Sequence, residues 1–191
     1  MAEAEAKSVL VFKGSPRRNG NSACLADQVA EGARAAGAFV EEFYLHGMEI
    51  NACRGCDGCQ KETAKDCVVV DDMAGLYPKI REAYALVYAT PIYWFTVSAQ
   101  TKLLMDRCYA LGGPQGFAMA GKRIGLVMTY ADTDPFRSGA VNAIRAFQDG
   151  FGLIGAPIVG MVYATAGAAG EVAGNAKAME EARALGEQLV R

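Results

Sequence analysis

The residues VLVFKGSPRRNGNS, at positions 9–22, combine three local patterns in one short stretch. Four apolar residues, Val9 to Phe12, predict a buried strand, and Gly14-Ser15-Pro16 ends it. The loop leads directly into a helix, which the spacing of its apolar residues predicts over 22–36 and which Gly37 stops. A strand, a tight polar loop and a helix in this order indicate the start of an α/β fold.

The same alternation of apolar runs and amphipathic stretches continues along the chain. Further strands are predicted at 39–45, 85–89, 124–129 and 157–163, and further helices at about 72–84, 98–109, 138–151 and 175–190. Pro78 predicts an interruption of the helix that Asp71 or Asp72 caps. Nearly all-apolar strands that alternate with helices predict a parallel sheet covered on both faces. In such a fold, ligands bind beyond the carboxyl ends of the strands.

The composition limits the class of protein. A length of 191 residues, 52% of them hydrophobic, predicts one domain over residues 1–191. The net charge of −2 argues against a nucleic-acid partner. No apolar run reaches the roughly 18 residues of a membrane span. Met1 to Ser8 contain no apolar signal core, so we expect a cytoplasmic protein whose six cysteines are reduced thiols or ligands.

The loop after the first strand places hydrogen-bond donors and positive charge at a helix N-terminus. Free N–H groups and the helix dipole suit an anion there, and Arg17 and Arg18 can hold phosphate oxygens in a forked geometry. Neutral donors come from four more side chains, those of Ser15, Asn19, Asn21 and Ser22. The loop lacks both the Walker A and the dinucleotide fingerprints, so it predicts a site for a terminal phosphate dianion. The alternative is a turn with two solvated arginines.

Three consecutive aromatic residues, Tyr93, Trp94 and Phe95, follow the third strand. Exposing three aromatic side chains to water costs free energy. They therefore predict packing against a flat ring or, alternatively, burial in the core or in a subunit interface. A phosphate loop at the same end of the sheet favours the ring.

A cysteine-rich segment over about 47–70 interrupts the alternation. Four of its residues form the pattern C-x2-C-x2-C-x7-C, namely Cys53, Cys56, Cys59 and Cys67. The pattern is similar to that of a cubane cluster, although the ferredoxin version has a shorter last gap and a proline after the fourth cysteine. Three interpretations stay open, which are a [4Fe–4S] cluster, unfilled thiols and a four-thiolate zinc site.

Together these motifs resemble the flavodoxin-like NADPH-dependent FMN reductase family, and within it the iron–sulfur flavoprotein branch. The resemblance rests on Gly14-Ser15-Pro16-Arg17 with Asn21-Ser22, on Thr90-Pro91-Ile92-Tyr93-Trp94, and on Lys102 with Asp106-Arg107. It covers about residues 8–165 in the family's order. It implies a three-layer α/β sandwich with a five-stranded parallel sheet in the order 2-1-3-4-5, carrying bound FMN.

The resemblance also implies roles for particular residues. The FMN phosphate would be held by Ser15, Arg17, Asn19, Asn21 and Ser22. The ribityl chain and the isoalloxazine ring would be lined by Pro91, Ile92, Tyr93 and Trp94, with the Thr129 backbone at the ring edge. The four cysteines of the segment would ligate the cluster. No side chain is expected to act as a catalytic acid or base, because the flavin carries out the chemistry.

The implied function is an oxidoreductase that takes hydride from NAD(P)H and passes electrons to a quinone, a free flavin or a similar small acceptor. One alternative is an electron carrier whose cluster relays electrons between a ferredoxin and FMN, and another is a binding module with structural zinc. Family members often place glycines after the fourth strand, where this chain has residues 129–135, TYADTDP, which leaves the substrate open. The apolar surface of Trp94 and Phe95, with the resemblance, predicts a homodimer or tetramer.

Overall fold

The computed structural model describes residues 6–191, so most of the N-terminal segment considered for export lies outside the described residues. Along the chain, the strands are β1 (Ser8–Lys13), β2 (Phe39–Tyr44), β3 (Ala85–Tyr93), β4 (Thr96–Val97), β5 (Gly112–Gly113), β6 (Gly116–Phe117), β7 (Arg123–Tyr130) and β8 (Ile158–Thr165). The helices are α1 (Asn21–Ala35), α2 (Met73–Glu82), α3 (Ala99–Arg107), α4 (Ala140–Leu153) and α5 (Ala176–Val190). Within the described residues, no helix combines the length and the apolar character needed to cross a membrane.

The central sheet is parallel and has the strand order β2-β1-β3-β7-β8. This confirms the predicted flavodoxin-like sheet, with β7 and β8 as its fourth and fifth long strands. The chain leaves β1 toward β2 and returns on the other side of β1 as β3. The carboxyl ends of β1 and β3 therefore flank the crevice in which a doubly wound fold binds its ligand.

Alternate residues of the strands enter two separate cores, one on each face of the sheet. Leu10 and Tyr88 contact the layer that contains α2, α3 and α4, and Val11 and Val87 contact the layer of α1 and α5. The inner strands β1, β3 and β7 are buried on both faces because helices cover both sides, which explains why their sequences are apolar almost throughout, whereas the edge strands β2 and β8 are only partly buried.

Among the predicted elements, α2 and β3 differ from the sequence-based prediction. The predicted interruption at Pro78 is wrong, because α2 runs unbroken through it. Proline removes one backbone hydrogen bond, and the burial of Tyr77 and Ile80 on either side offsets this loss. Strand β3 also runs past the expected end at Ala89, since Thr90 and Pro91 continue the register with β7.

Candidate functional site

The loop between β1 and α1 is folded tightly against the end of the sheet. Ser15 is buried, and its hydroxyl accepts a hydrogen bond from the Arg17 amide at 3.0 Å. A Cβ at Gly20 would lie 2.7 Å from the Ser15 hydroxyl and 3.0 Å from the Arg17 carbonyl, so this position accepts only glycine without a shift of the loop. Helix α1 thus begins directly beside the Ser15 side chain.

The N-terminus of α1 has no side-chain cap, although serine and asparagine surround it. Gly20 stands at the N-cap position, where α3 and α5 have Ser98 and Asn175 accepting from their own first-turn amides. The first amides of α1 therefore remain available as donors, and the helix dipole makes them suited to an anion. The Arg17 guanidinium makes no hydrogen bond or ion pair to any residue in 6–191 and is exposed beside them.

Two other polar residues of the loop point elsewhere. The Asn21 side chain donates to the carbonyls of Ala166 and Ala168 at 3.3 and 2.8 Å and accepts from the Val172 amide at 3.1 Å. These bonds anchor the loop after β8, so Asn21 can offer a phosphate only its backbone amide. The Arg18 guanidinium lies over the Tyr44 ring, 4.2 Å from its centroid.

Buried polar residues join the loop after β1 to the loop after β3. The Ser98 hydroxyl donates to the Gly14 carbonyl at 2.7 Å, and the Gly14 amide donates to the Ala89 carbonyl at 2.7 Å. A Cβ at Gly14 would lie only 1.9 Å from the Thr101 hydroxyl, so the two loops can approach this closely only at a glycine. The two sequence motifs thus form one rigid unit at the carboxyl edge of the sheet.

The aromatic loop is a hairpin with a strained two-residue turn. Ile92 and Tyr93 of β3 pair antiparallel with Val97 and Thr96 of β4. Trp94 and Phe95 form the turn with φ of 48° and 66°, values that bulky residues rarely adopt. Asn142 on α4 supports the turn by donating to the Phe95 carbonyl at 3.1 Å. Trp94 is 92% exposed, so the strain holds a large aromatic surface in solvent beside the site.

These loops surround one cavity of about 230 Å³ at the carboxyl ends of β1, β3 and β7. Of the residues assigned to FMN by resemblance, all but Asn19 and Trp94 line it, namely Ser15, Arg17, Asn21, Ser22, Pro91, Ile92, Tyr93 and Thr129. No role was predicted for the remaining lining residues, which are Gly20, Tyr130, Ala131, Ala166 and Gly167. Of these, Ala166 and Gly167 follow β8, whose loop gave no signal beyond its small residues.

The donor set of this cavity fits FMN. Uncapped amides, the Ser15 and Ser22 hydroxyls and a free arginine lie at one end, which suits a phosphate. The buried apolar atoms of Pro91 and the half-exposed Ile92 and Tyr93 lie at the other, which suits a ring. Thr129 is buried near the end of β7, where it pairs with Pro91 of β3.

The cysteine segment lies outside this cavity, against the turn that follows α3. The Gln60 side chain donates to the carbonyls of Tyr109 and Gly112 at 3.1 and 3.3 Å, and the Tyr109 hydroxyl donates to Asp57 at 3.3 Å. Cys53 and Cys56 are exposed, whereas Cys59 and Cys67 are half-buried, and all four are free thiols.

A buried ion pair contacts both ends of the cysteine segment. Arg107 at the end of α3 forms a bidentate pair with Asp71, and the exposed fractions of the two side chains are 0% and 1%. The same guanidinium donates to the carbonyls of Asn51 and Val69 at 2.8 and 3.2 Å, two residues outside Cys53 and Cys67 respectively. We call this group the Arg107–Asp71 clasp. It attaches both ends of the segment to the helix that begins at the aromatic loop.

The electrostatics of the clasp favour its charged form. Burial opposes ionisation of Asp71, but hydrogen bonds from Arg107 and from the amides of Asn51 and Met73 outweigh it and lower the Asp71 pKa. Burial likewise raises the pKa of the neighbouring Tyr77, whose hydroxyl donates to the Arg107 carbonyl at 3.3 Å.

The fit of the segment to an iron–sulfur cluster is incomplete in this arrangement. Four thiols are the correct donors for a cubane. Across residues 6–191, however, no three histidine, cysteine or acidic side chains converge in a geometry that could hold a metal ion. A cluster would require the thiols of the segment to move together, with the clasp as its fixed base.

The chain is similar to known proteins in sequence and in fold. The model of the NADPH-dependent FMN reductase family matches residues 8–179. An iron–sulfur flavoprotein of Methanocaldococcus jannaschii is 32% identical over 139 residues, which cover 73% of this chain and 70% of that protein. One from Archaeoglobus fulgidus is 37% identical over 127 residues, which cover 61% of this chain and 64% of the relative. An NAD(P)H:quinone oxidoreductase from Methanothermobacter marburgensis has the same fold, with a TM-score of 0.73 at 18% identity over 98% of each chain.

Proposed function

Because the chain belongs to the NADPH-dependent FMN reductase family, we propose that it takes hydride from NAD(P)H and delivers electrons to a small acceptor of the quinone or flavin class. It is an NAD(P)H-dependent reductase that contains FMN. The observation that supports the proposed site is one cavity that joins the uncapped N-terminus of α1 to the apolar residues Pro91 and Ile92.

Bound FMN supplies a ring that accepts a hydride and releases electrons singly or in pairs. The protein's residues bind and orient that ring. In this proposal, Arg17, Ser15, Ser22 and the first amides of α1 hold the phosphate. Pro91, Ile92 and Tyr93 pack along the ribityl chain and one face of the ring, and Thr129 lies at its edge. No side chain is proposed as a general acid or base, because the flavin carries out the chemistry.

The proposed activity is tested by mixing the FMN-loaded protein anaerobically with NADPH or NADH. The visible flavin absorbance should bleach with at least one nucleotide and return when a naphthoquinone or free FMN is added. Free FMN without protein, at the same concentration, is the control. Persistent absorbance with both nucleotides would contradict the reductase proposal and favour an electron carrier.

A second candidate function is supported by the cysteine segment. We propose that Cys53, Cys56, Cys59 and Cys67 ligate a [4Fe–4S] cluster that exchanges electrons with a protein donor such as a ferredoxin. Two observations support it: the four free thiols occur in one short segment with a fixed base, and the relatives described above carry the name iron–sulfur flavoprotein.

Anaerobic reconstitution with iron and sulfide tests the cluster. About four irons per chain should bind, as expected for a cubane. Cys56→Ser should abolish this iron and leave FMN in place. Cys24→Ser is the matched control, because Cys24 lies on α1 outside the segment. Equal iron content in the intact protein and the Cys56 variant would rule the cluster out, and the reductase proposal would be unaffected.

We further propose that the chain works as a homodimer or a pair of dimers. Trp94, Phe95 and Phe136 support this proposal because they are 92%, 55% and 78% exposed next to the site. Exposed apolar surface of this kind usually marks an interface.

A further inference from the structure

The loop that follows β8, at residues 166–172, borders the end of the flavin cavity at which α1 begins. Ala166 and Gly167 line that cavity together with Ser15 of the loop after β1. The Ala166 amide donates to the Tyr130 carbonyl at 2.7 Å, which fixes the point at which the chain leaves the sheet. We call residues 166–172 the β8–α5 loop. Because its first two residues line the cavity, the position of the loop determines how open this end of the cavity is.

The middle of the β8–α5 loop has little side chain to pack. Residues 167–170 have the sequence GAAG, and residues 167–169 are exposed. Gly170 has a φ of 79°, which favours glycine. Glycine and alanine lose backbone freedom when they are held in one conformation, and here they bury little apolar surface to offset that loss. The conformation of the loop therefore depends on its hydrogen bonds.

The Asn21 side chain holds both ends of the loop. It is 8% exposed, and it donates to the carbonyls of Ala166 and Ala168 and accepts from the Val172 amide. Val172 is 1% exposed in the core that the sheet shares with α1 and α5. Asn21 is also the first residue of α1, so its own amide belongs to the uncapped helix N-terminus. One residue thus attaches the loop to the group of amides that suits a phosphate.

Glu171 holds the middle of the loop. Its Oε2 atom accepts hydrogen bonds from the amides of Gly167 and Ala168, at 2.8 Å each. Within residues 6–191, no lysine or arginine forms an ion pair with this carboxylate. A hydrogen bond to an ionised acceptor is stronger than one between neutral groups. Glu171 does not line the cavity, so it acts on the cavity only through the two amides that it holds.

We propose that the β8–α5 loop is a lid over the phosphate end of the flavin site, and that Glu171 is the positioning residue that holds this lid closed. The inference rests on the placement of FMN proposed above. The phosphate leaves only when the lid opens, so Glu171 sets the rate at which FMN is released. Without the two hydrogen bonds of Glu171, the segment Gly167–Gly170 moves freely and this end of the cavity opens.

The test measures FMN release from the loaded protein after dilution, by the rise of flavin fluorescence. Glu171→Ala removes the acceptor of both amides and should release FMN about three- to tenfold faster than the parent protein. Glu171→Gln retains an oxygen that can accept from both amides, so its release should be no faster than that of the parent. Glu180→Ala, an exposed glutamate on α5 outside the loop, is the matched control.

The charge of Glu171 and its hydrogen bonds have opposite effects on a bound phosphate. A carboxylate repels the phosphate, so loss of its charge alone would slow the release of FMN in the alanine and glutamine variants alike. Faster release in Glu171→Ala only is therefore the signature of the hydrogen bonds.

Riboflavin separates an effect on the phosphate from a general loss of stability. It has no phosphate, so Glu171→Ala should leave its release rate unchanged. Hydrogen exchange gives a structural readout, because the amides of Gly167 and Ala168 should exchange faster in Glu171→Ala. In the parent protein, FMN should slow the exchange of these amides, and riboflavin should not.

Three results would overturn the lid. They are an unchanged rate of FMN release in Glu171→Ala, an equal acceleration by Glu180→Ala, and an equal acceleration of FMN and riboflavin release, which would show that Glu171 supports the whole site. All three leave the placement of FMN and the reductase proposal intact. Riboflavin binding to the parent protein as tightly as FMN would contradict the placement of the phosphate, and the lid with it.

Discussion

Arg17 is the residue whose position most directly links the cavity to an anion. Its guanidinium is unpaired within the described chain and lines the cavity, whereas that of Arg18 is held over Tyr44. We expect Arg17→Ala to weaken FMN binding by about 1.5 to 3 kcal/mol, the value of a hydrogen bond to a charged group. Quenching of FMN fluorescence in a titration measures this. Arg18→Ala is the control, and a larger loss there than at Arg17 would contradict the assignment.

Asp71 makes stability depend on pH in a defined direction. Its pKa is lowered in the folded protein, so the stabilisation is complete above the unfolded value near 4 and is lost as the pH falls through the folded value. Breaking a buried pair costs about 3 to 5 kcal/mol, so Asp71→Asn should lose this much stability at pH 7.

The difference between the parent protein and Asp71→Asn should shrink as the pH drops below about 4. Urea unfolding followed by circular dichroism at pH 7 and at pH 3 measures it. Asp66→Asn is the control, because its ion pair with Arg81 is partly exposed, with 35% of each side chain accessible. A difference at Asp71 that stays constant with pH would show that the clasp is not charged.

Residue types at the site were predictable, but their orientations were not. Serine, asparagine and arginine after a strand indicate a phosphate loop. No residue near Asn21 in the sequence indicates that its side chain donates to the Ala166 carbonyl, 145 residues away. The clasp was missed for the same reason, since Arg107 and Asp71 are 36 residues apart and each is ordinary in its own segment.

At the scale of elements, the hairpin at the end of β3 is the feature that sequence patterns could not show. Two-residue hairpin turns favour the sequences Asn-Gly and Asp-Gly, whereas this turn has the sequence Trp94-Phe95. The turn forms because Asn142 and Gly139 of the α4 N-terminus support it, and a Cβ at Gly139 would lie 2.6 Å from the Phe95 Cα. The regular strands and helices were predictable, because each shows a regular spacing of apolar residues within its own segment.

The strain in this turn can be measured. With φ of 48°, Trp94 occupies a region that costs non-glycine residues about 1 to 2 kcal/mol. Trp94→Gly should therefore be more stable than Trp94→Ala by about 1 kcal/mol in the free energy of unfolding. At Phe136, which is exposed and has no positive φ, the glycine variant should instead be no more stable than the alanine variant. Equal stability of the two Trp94 variants would show that the turn is unstrained.

At the scale of the whole molecule, the sheet order agrees with the family resemblance, and the proposed interface rests on the exposed aromatic residues. Light scattering should give a mass of twice the 20.2 kDa chain or a higher even multiple. Phe136→Asp should dissociate the assembly, because burying an unpaired carboxylate in an apolar contact is costly.

Leu153→Asp is the matched control for the interface. Leu153 is 82% exposed but lies at the opposite end of α4 from Phe136. The oligomer should survive this change. A monomeric parent protein at micromolar concentration, or dissociation by both variants alike, would contradict the proposed interface.

The central claim is that the cavity beyond β1, β3 and β7 holds FMN by its phosphate. The most direct measurement is a titration of flavin-free protein with FMN and, in parallel, with riboflavin, which has the same ring and no phosphate. We predict one FMN per chain and riboflavin binding that is weaker by at least tenfold, because the amides of α1 and Arg17 would lose their partner. Riboflavin binding as tight as that of FMN, or no uptake of either flavin, would contradict the account.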